Sequence, residues 1–434
     1  MKPIKKLPLY FSKSSVVLVL LLLLLSLIIS PEMLCSSTVT TSETMQEKEI
    51  YLVRSEHYFY INATDNIDTF HIKYSFPPNY AFQVPIYLEL INDTTVDIIH
   101  YCIENEEKEP NTYINFTIGS MEKNESAHLH FYSWVLIKNY KYQDLPGYVQ
   151  IPKKRDLPEE TKIWLQSSEV VQTKSILLRL KARQLRGLNT NLLVLAQRIA
   201  TFTRYHRYLL FILQFNLGLL GPQDALTTLL RNGECPGRSH LGCALFRINN
   251  VPARVILATP HYDFWYQIHC MTEYYLPEYG WILTEVHGGK TPYEPKNQII
   301  LRICYPEDED NTHTDYIFPR MKGIENWFWI DNDSIIPYYK DFIGGSKSNM
   351  FMEQMTVADS FSADYSFFIT QTVFYLYQLY LGMELLGENL QHFENATTYQ
   401  RMAIQQFISS ANLQNYLIHM DLGYTEFMKI NIGN

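Results

Sequence analysis

The 434-residue chain is short of positive charge, of cysteine and of long apolar runs, and each shortage closes off a class of function. Lys and Arg number 36 against 45 Asp and Glu, a net charge of −9, and the basic residues gather into no stripe. A nucleic-acid backbone is therefore a poor partner. Only one apolar run is long and nearly unbroken, Val16–Ile29, interrupted by Ser26 alone. Tyr208–Leu220 contains Gln214 and Asn216, and Phe367–Leu386 contains Gln371, Gln378 and Glu384, so both read as buried helices and not as membrane spans. There is no internal repeat or low-complexity tract, and no Cys-x-x-Cys pair that would mark a zinc site.

The composition is that of a globular protein, 47% hydrophobic and 19% charged, with 32 Tyr and 23 Phe. Lys2, Lys5, Lys6 and Lys13 precede the apolar run, and a basic segment leading into an apolar core reads as a secretory signal over residues 1–37. Left uncleaved, residues 8–34 would instead be an anchor. Six Asn-x-Ser/Thr tripeptides, at Asn62, Asn92, Asn115, Asn124, Asn332 and Asn395, fit an extracellular or cell-surface location. Removing residues 1–37 leaves 32 basic and 44 acidic residues and five cysteines: Cys102, Cys235, Cys243, Cys270 and Cys304. Five is odd, so at least one thiol falls outside any intramolecular disulfide.

Residues 48–143 alternate apolar and polar residues, as in His57-Tyr58-Phe59-Tyr60-Ile61, and predict a β-sandwich-like domain. Residues 144–158, with Pro146, Gly147, Pro152 and Pro158, read as a linker. The period becomes helical from Glu159 to Asn232. Asp224 is the expected N-cap of a short helix, Ala225–Arg231. A second helix starts at Cys235, with Leu241, Ala244, Leu245 and Ile248 on one face. Strands follow at Ala253–Ala258, Gln267–Leu276 and Trp281–Val286, the last two joined by a hairpin turn at Pro277-Glu278-Tyr279-Gly280. Residues 159–305 form the predicted core domain. Residues 306–434 form a mostly helical extension, which includes an aromatic strand at Trp327-Phe328-Trp329.

The chemistry gathers at Gly233-Glu234-Cys235-Pro236-Gly237-Arg238-Ser239-His240-Leu241. A cysteine at a helix start faces unpaired N–H groups and the positive end of the dipole, both of which favour the thiolate. Pro236 is tolerated in the first turn, and the Cys235 N–H is a candidate oxyanion donor. A half-cystine is the competing reading. His269 is the candidate base and Glu285 the candidate residue to orient it. An odd-length hairpin loop would set Met271 opposite Glu285 and make His269 its diagonal neighbour on the same face. An even-length loop would separate the two.

These residues resemble the signature of the transglutaminase-like superfamily, whose chemistry is papain-like Cys-His-Asp. Gly233, Cys235, His240, Leu241, Ala244, Leu245 and Arg247 fit its cysteine block, followed by Val251-Pro252-Ala253-Arg254-Val255. His269, Glu273, Tyr275-Leu276-Pro277 and Tyr279-Gly280-Trp281 fit its second block, and Ala225, Leu229 and Gly233 fit the approach to the cysteine. The likeness covers residues 220–290. It departs from the pattern at Glu285, where the family has Asp, and at Cys270 and Met271.

The resemblance implies an α+β fold. A transglutaminase-like, papain-like core would have its cysteine-bearing helix packed on an antiparallel sheet, with a β-sandwich domain before it and a helical extension after it. It also implies an exported cysteine enzyme that forms a thioester on protein or peptide substrates, then hydrolyses or transamidates it, with Cys235, His269 and Glu285 as catalytic residues and no required cofactor. The alternative is an inactive transglutaminase-like module with a binding or structural role at the surface.

Zinc on Cys235, His240, Cys243, His269 and Cys270 is a rival reading, weakened because His269 and Cys270 point to opposite faces of a strand. Some relatives use calcium. Here Asp308-Glu309-Asp310-Asn311 and Asp315 lack the turn glycine and terminal Glu of a calcium loop, so a solvated acidic loop is expected. Trp265 and Tyr266 are expected in the core or along a cleft wall, and His261 and His287 as surface or supporting residues.

Overall fold

The computed structural model describes residues 48–80, 82–138, 145–217, 221–259, 269–294, 298–309, 328–337 and 346–431. The segment read as a signal or anchor lies outside these, as do His261, Trp265, Tyr266, Asp310, Asn311 and Asp315. No helix among the described residues is long and apolar enough to cross a membrane.

β1 (Lys48–Ala63) is buried on both faces from Ile50 to Val53 and alternates strictly from Arg54 on. Ser55, His57, Phe59 and Ile61 point inward and are buried, while Arg54, Glu56, Tyr58 and Tyr60 face outward. It is followed by β2 (Phe70–Phe76), β3 (Gln83–Leu90), β4 (Ile98–Asn105), β5 (Thr112–Ile118) and β6 (Ser126–Lys138). These strands form two antiparallel sheets that pack around Phe59, Tyr74, Phe116 and Phe131. Each fully buried aromatic contributes on the order of 1.5–3 kcal/mol. A histidine in this core, His57, bonds the Tyr74 hydroxyl at 2.7 Å and stacks on Phe131. Burial holds its pKa down at about 3, so the ring is neutral in the core.

The sandwich is completed by strands from far along the chain. Beyond the core sheet of β7 to β10, given below, β11 (Phe328–Ile330) adds to β2, while β12 (Ile335–Pro337) and β13 (Ser346–Ala358) both pair with β1. The region expected to be mostly helical therefore gives its first part to the sandwich and becomes helical only afterwards. The segment read as a linker is also docked: Ile151 and Leu157 are buried, and the Ile151 N–H donates to the Thr190 carbonyl at 2.8 Å. The described residues make a single compact unit.

The helical layer comprises α1 (Ile176–Arg186), α2 (Leu192–Tyr205), α3 (Tyr208–Asn216), α4 (Ala225–Leu230) and α5 (Cys235–Ile248). Asp224 caps α4, accepting from the Thr227 N–H at 2.9 Å. α5 is buried all round from Cys235 to Arg247, between the other helices and an antiparallel sheet ordered β10-β7-β8-β9. Those strands are β7 (Ala253–Ala258), β8 (His269–Leu276), β9 (Gly280–Thr284) and β10 (Ile300–Ile303). A central helix has no solvent face to keep polar, so its apolar set is wider than the single stripe the spacing suggests. α3 departs from expectation. It is apolar on every side, yet Leu209 is 82% and Leu213 55% exposed.

The edge of β10 is satisfied by side chains of the sandwich. The Gln83 amide exchanges bonds of 2.9 and 2.7 Å with the Ile300 backbone, and Asn111 does the same with Ile303 at 2.8 Å each way. Two amides thus close backbone groups that would otherwise be buried without partners. Three C-terminal helices, α6 (Ser360–Leu381), α7 (Glu388–Ser410) and α8 (Leu413–Phe427), cover the sandwich, where Phe374 stacks on Phe76.

Candidate active site

Cys235 opens α5, with Glu234 at the N-cap and Pro236 in the first turn. The turn that delivers the cysteine is fixed from several sides. Gln223 Oε1 accepts the Glu234 N–H at 2.8 Å, Arg238 Nε donates to the Gly233 carbonyl at 2.9 Å, and an Arg238 Nη donates to the Arg204 carbonyl of α2 at 3.0 Å. Gly233 has no room for a side chain, because a Cβ would lie 2.7 Å from Thr228 Oγ1. His240, counted as a zinc candidate in the sequence, is buried and bonds the Gln223 carbonyl through Nδ1 at 2.5 Å. Cys243 is a buried thiol against Thr272, its pKa pushed up to about 12 by burial.

His269 begins β8 and Glu285 follows the last residue of β9, so both sit at the open end of one hairpin. The register pairs Leu276 with Gly280 and Thr272 with Thr284, and one more step sets Met271 opposite Glu285. This is the odd-loop arrangement. His269 and Glu285 then meet on the diagonal, with Nε2 to Oε2 at 2.5 Å. The other carboxylate oxygen, Oε1, accepts the N–H groups of His287 and Gly288 at 2.8 and 3.2 Å. The imidazole also hydrogen-bonds to the Cys235 side chain, so the ring bridges sulfur and carboxylate. The structure thus brings together Cys235, the thiol at the helix start, and the two residues singled out with it.

The electrostatics of the three are coupled. Burial opposes charge on His269, but the Glu285 carboxylate and the hydrogen bonds with Cys235 and Glu285 outweigh it and hold the imidazolium well above its ordinary pKa. Burial likewise opposes ionisation of Glu285, and the charge and hydrogen bond of His269 overcome it, holding the carboxyl down at about 2. The pair is ionised across the neutral range and only slightly exposed, at 17% and 12% of side-chain area.

Two neighbours, Arg238 and Glu234, escaped the sequence reading, and a third, His287, was expected as a surface or supporting residue. Arg238 is fully buried one helical turn from Cys235. Glu234 is a mostly buried carboxyl immediately before the cysteine. The His287 ring lies edge-on to His269, with centroids 6.4 Å apart. The only signal available was charge next to a nucleophile, which does not distinguish burial from solvation. In the acidic loop, Glu309 is fully buried and paired with Arg247, and Ser168 Oγ donates to it at 2.6 Å, so the loop is not solvated at that residue. Its carboxylate is already committed to those partners.

Residues 182–286 match the family described as the transglutaminase-like superfamily, and this part of the chain is a transglutaminase-like domain. No curated protein matches the chain. Among solved structures it is similar to a protein of Cytophaga hutchinsonii described as a candidate cysteine protease, at 14% identity and a TM-score of 0.46, over 70% of this chain and 98% of that one. Together the domain and the site define a cysteine enzyme in general terms.

Proposed function

We propose that this chain is an exported, cell-surface enzyme that cleaves amide bonds in proteins or peptides through a Cys235 thioester. The observation that carries the reading is the His269 ring held between the Cys235 sulfur and Glu285. Cys235, as thiolate, attacks the amide carbonyl. The tetrahedral oxyanion forms beside the α5 N-terminus, where the Cys235 N–H and the helix dipole favour negative charge. The C–N bond then breaks, and the proton on His269 goes to the departing amine, leaving a thioester and a neutral ring. His269 next takes a proton from water. The hydroxide equivalent adds to the thioester, the C–S bond breaks, and acid product and thiolate–imidazolium are restored. Glu285 orients the ring and supports its charge throughout.

Water is preferred to an amine as acceptor because it is always at hand. The test is release of product amine from a set of fluorogenic peptide amides, with the acyl-enzyme trapped on Cys235 and read by mass spectrometry. Wild-type protein is expected to turn over and Cys235→Ala to be inert. Equal turnover by the two proteins would sink the reading. An acyl-enzyme that forms but yields product only when an amine is added would replace hydrolysis by transamidation.

A further inference from the structure

One buried ionisable group beside the sulfur is not used in the scheme above. Glu234 is the N-cap of α5, but its side chain makes no capping bond to the helix beyond. Its carboxyl interacts instead with the Cys235 N–H, the donor that the oxyanion of an attacked carbonyl would need. Its Oε1 is buried with no hydrogen-bond partner among the described residues. The backbone at Glu234 has little freedom to swing away, since its N–H is held by Gln223 and the preceding carbonyl by Arg238.

We propose that Glu234 is a proton-controlled gate on the oxyanion side of Cys235. Neutral, it yields the Cys235 N–H to the developing oxyanion; ionised, it occupies that N–H and sets a negative charge where the oxyanion must form. This rests on the thioester reading of the site. The surroundings favour the neutral form: burial first, then the charge of Cys235, push the Glu234 carboxyl up to about 8. Arg238, the Cys235 N–H and His269 pull the other way. Among the described residues, the charged and titratable groups that act on Glu234 are Cys235 and Arg238 on its own helix and His269 from β8. Arg238 in turn faces Glu285 and Tyr208. The gate is open below the Glu234 pKa and closes as pH rises through it.

The test compares alkylation of Cys235 by neutral iodoacetamide and anionic iodoacetate between pH 6 and 9.5, read by mass spectrometry on the Cys235 peptide. The ratio of the two rates reports the charge next to the sulfur, independently of turnover. A new unit charge within a few ångströms changes such a ratio by about threefold or more. In wild type the iodoacetate-to-iodoacetamide ratio is expected to fall at least about threefold through pH 8. In Glu234→Gln it should stay level over that window, with alkylation at pH 6 close to the wild-type rate. His269 losing its proton would lower the ratio in both proteins, so the difference between them is the readout. An equal fall in Glu234→Gln overturns the gate. So does a level ratio in wild type, whether or not the variant folds. If neither reagent labels wild-type Cys235 below pH 7, the thioester reading itself fails, and the gate falls with it.

Discussion

Glu285→Gln tests the electrostatics of the site in one substitution of nearly unchanged shape. Two unit charges about 4 Å apart attract by about 4 kcal/mol at an effective permittivity of about 20. Neighbouring opposite charges in proteins shift a pKa by about 1–3 units, or about 1.4–4 kcal/mol. The geometry points to the upper part of that range. Glu285 Oε1 already accepts two backbone N–H groups, from His287 and Gly288. In the variant the amide oxygen must take that place, which turns the NH2 group toward His269 Nε2. A donor then faces the N–H that the carboxylate accepted, so the ring is driven toward its neutral form. The thiolate–imidazolium pair should lose population at pH 6 by about a hundredfold or more. Site-resolved iodoacetamide labelling of Cys235 at pH 6 measures this directly, with near-ultraviolet circular dichroism to show that packing is kept. Labelling within about threefold of wild type would mean that the carboxylate does not hold the charge on the ring, and the electrostatic account would be wrong.

The same pair makes stability depend on pH with a definite sign. Glu285 has a depressed pKa, so its contribution is present above the unfolded carboxyl value and lost as pH falls toward about 2. His269 has a raised pKa, so its contribution is full below the unfolded imidazole value and lost as pH rises through its folded one. The difference in urea-unfolding free energy between wild type and Glu285→Gln should therefore be largest between about pH 5 and 6.5; a difference flat from pH 3 to 9 would contradict it. Glu309→Gln leaves the guanidinium of Arg247 buried without its counter-charge and should cost about 3–5 kcal/mol in urea unfolding at pH 7. A loss under about 1 kcal/mol would show that the pair is hydrated. Gly237→Ala places a Cβ 2.4 Å from Thr228 Oγ1 and 2.8 Å from Gln223 Oε1. It should dislodge Gln223 from the Glu234 N–H and slow Cys235 labelling by about fivefold or more while far-ultraviolet dichroism is kept. An unchanged labelling rate would show that the turn does not depend on Gln223.

What could be read from the sequence was local. Asp224 caps α4 because a side-chain oxygen three residues before an open N–H is a short-range event. The meeting of His269 and Glu285 follows from the parity of a three-residue loop, with Glu278 at φ 70° and Gly280 at φ 83° closing it. The spacing alone allowed either parity, and only the pairing of Leu276 with Gly280 decides it. What could not be read was long-range. Asn62 pairs with Ile336, and Lys48 pairs with Ala358. The alternation along those strands says that they pair without saying with what. Arg238 and Glu234 were missed for a related reason. Charged residues in a helix start are usually solvated, and their burial here depends on α2 and on the turn before α4, neither of which is adjacent in sequence.

That burial explains why backbone atoms do most of the holding around the sulfur. Arg238 binds two carbonyls, Glu285 two N–H groups, His240 one carbonyl and Gln223 one N–H. Backbone partners are fixed by the fold and cannot change protonation state, so they set positions without adding titrations. Among the described residues, the shifted groups around the sulfur that respond to pH are few: His269 with Glu285, His287, whose pKa burial holds down so that it is neutral near pH 7, and Glu234. The first pair is locked in its ionised form over the neutral range. A change of charge at Cys235 near neutrality must then come chiefly from Glu234, which is why replacing that one carboxyl separates control of the site by pH from its chemistry.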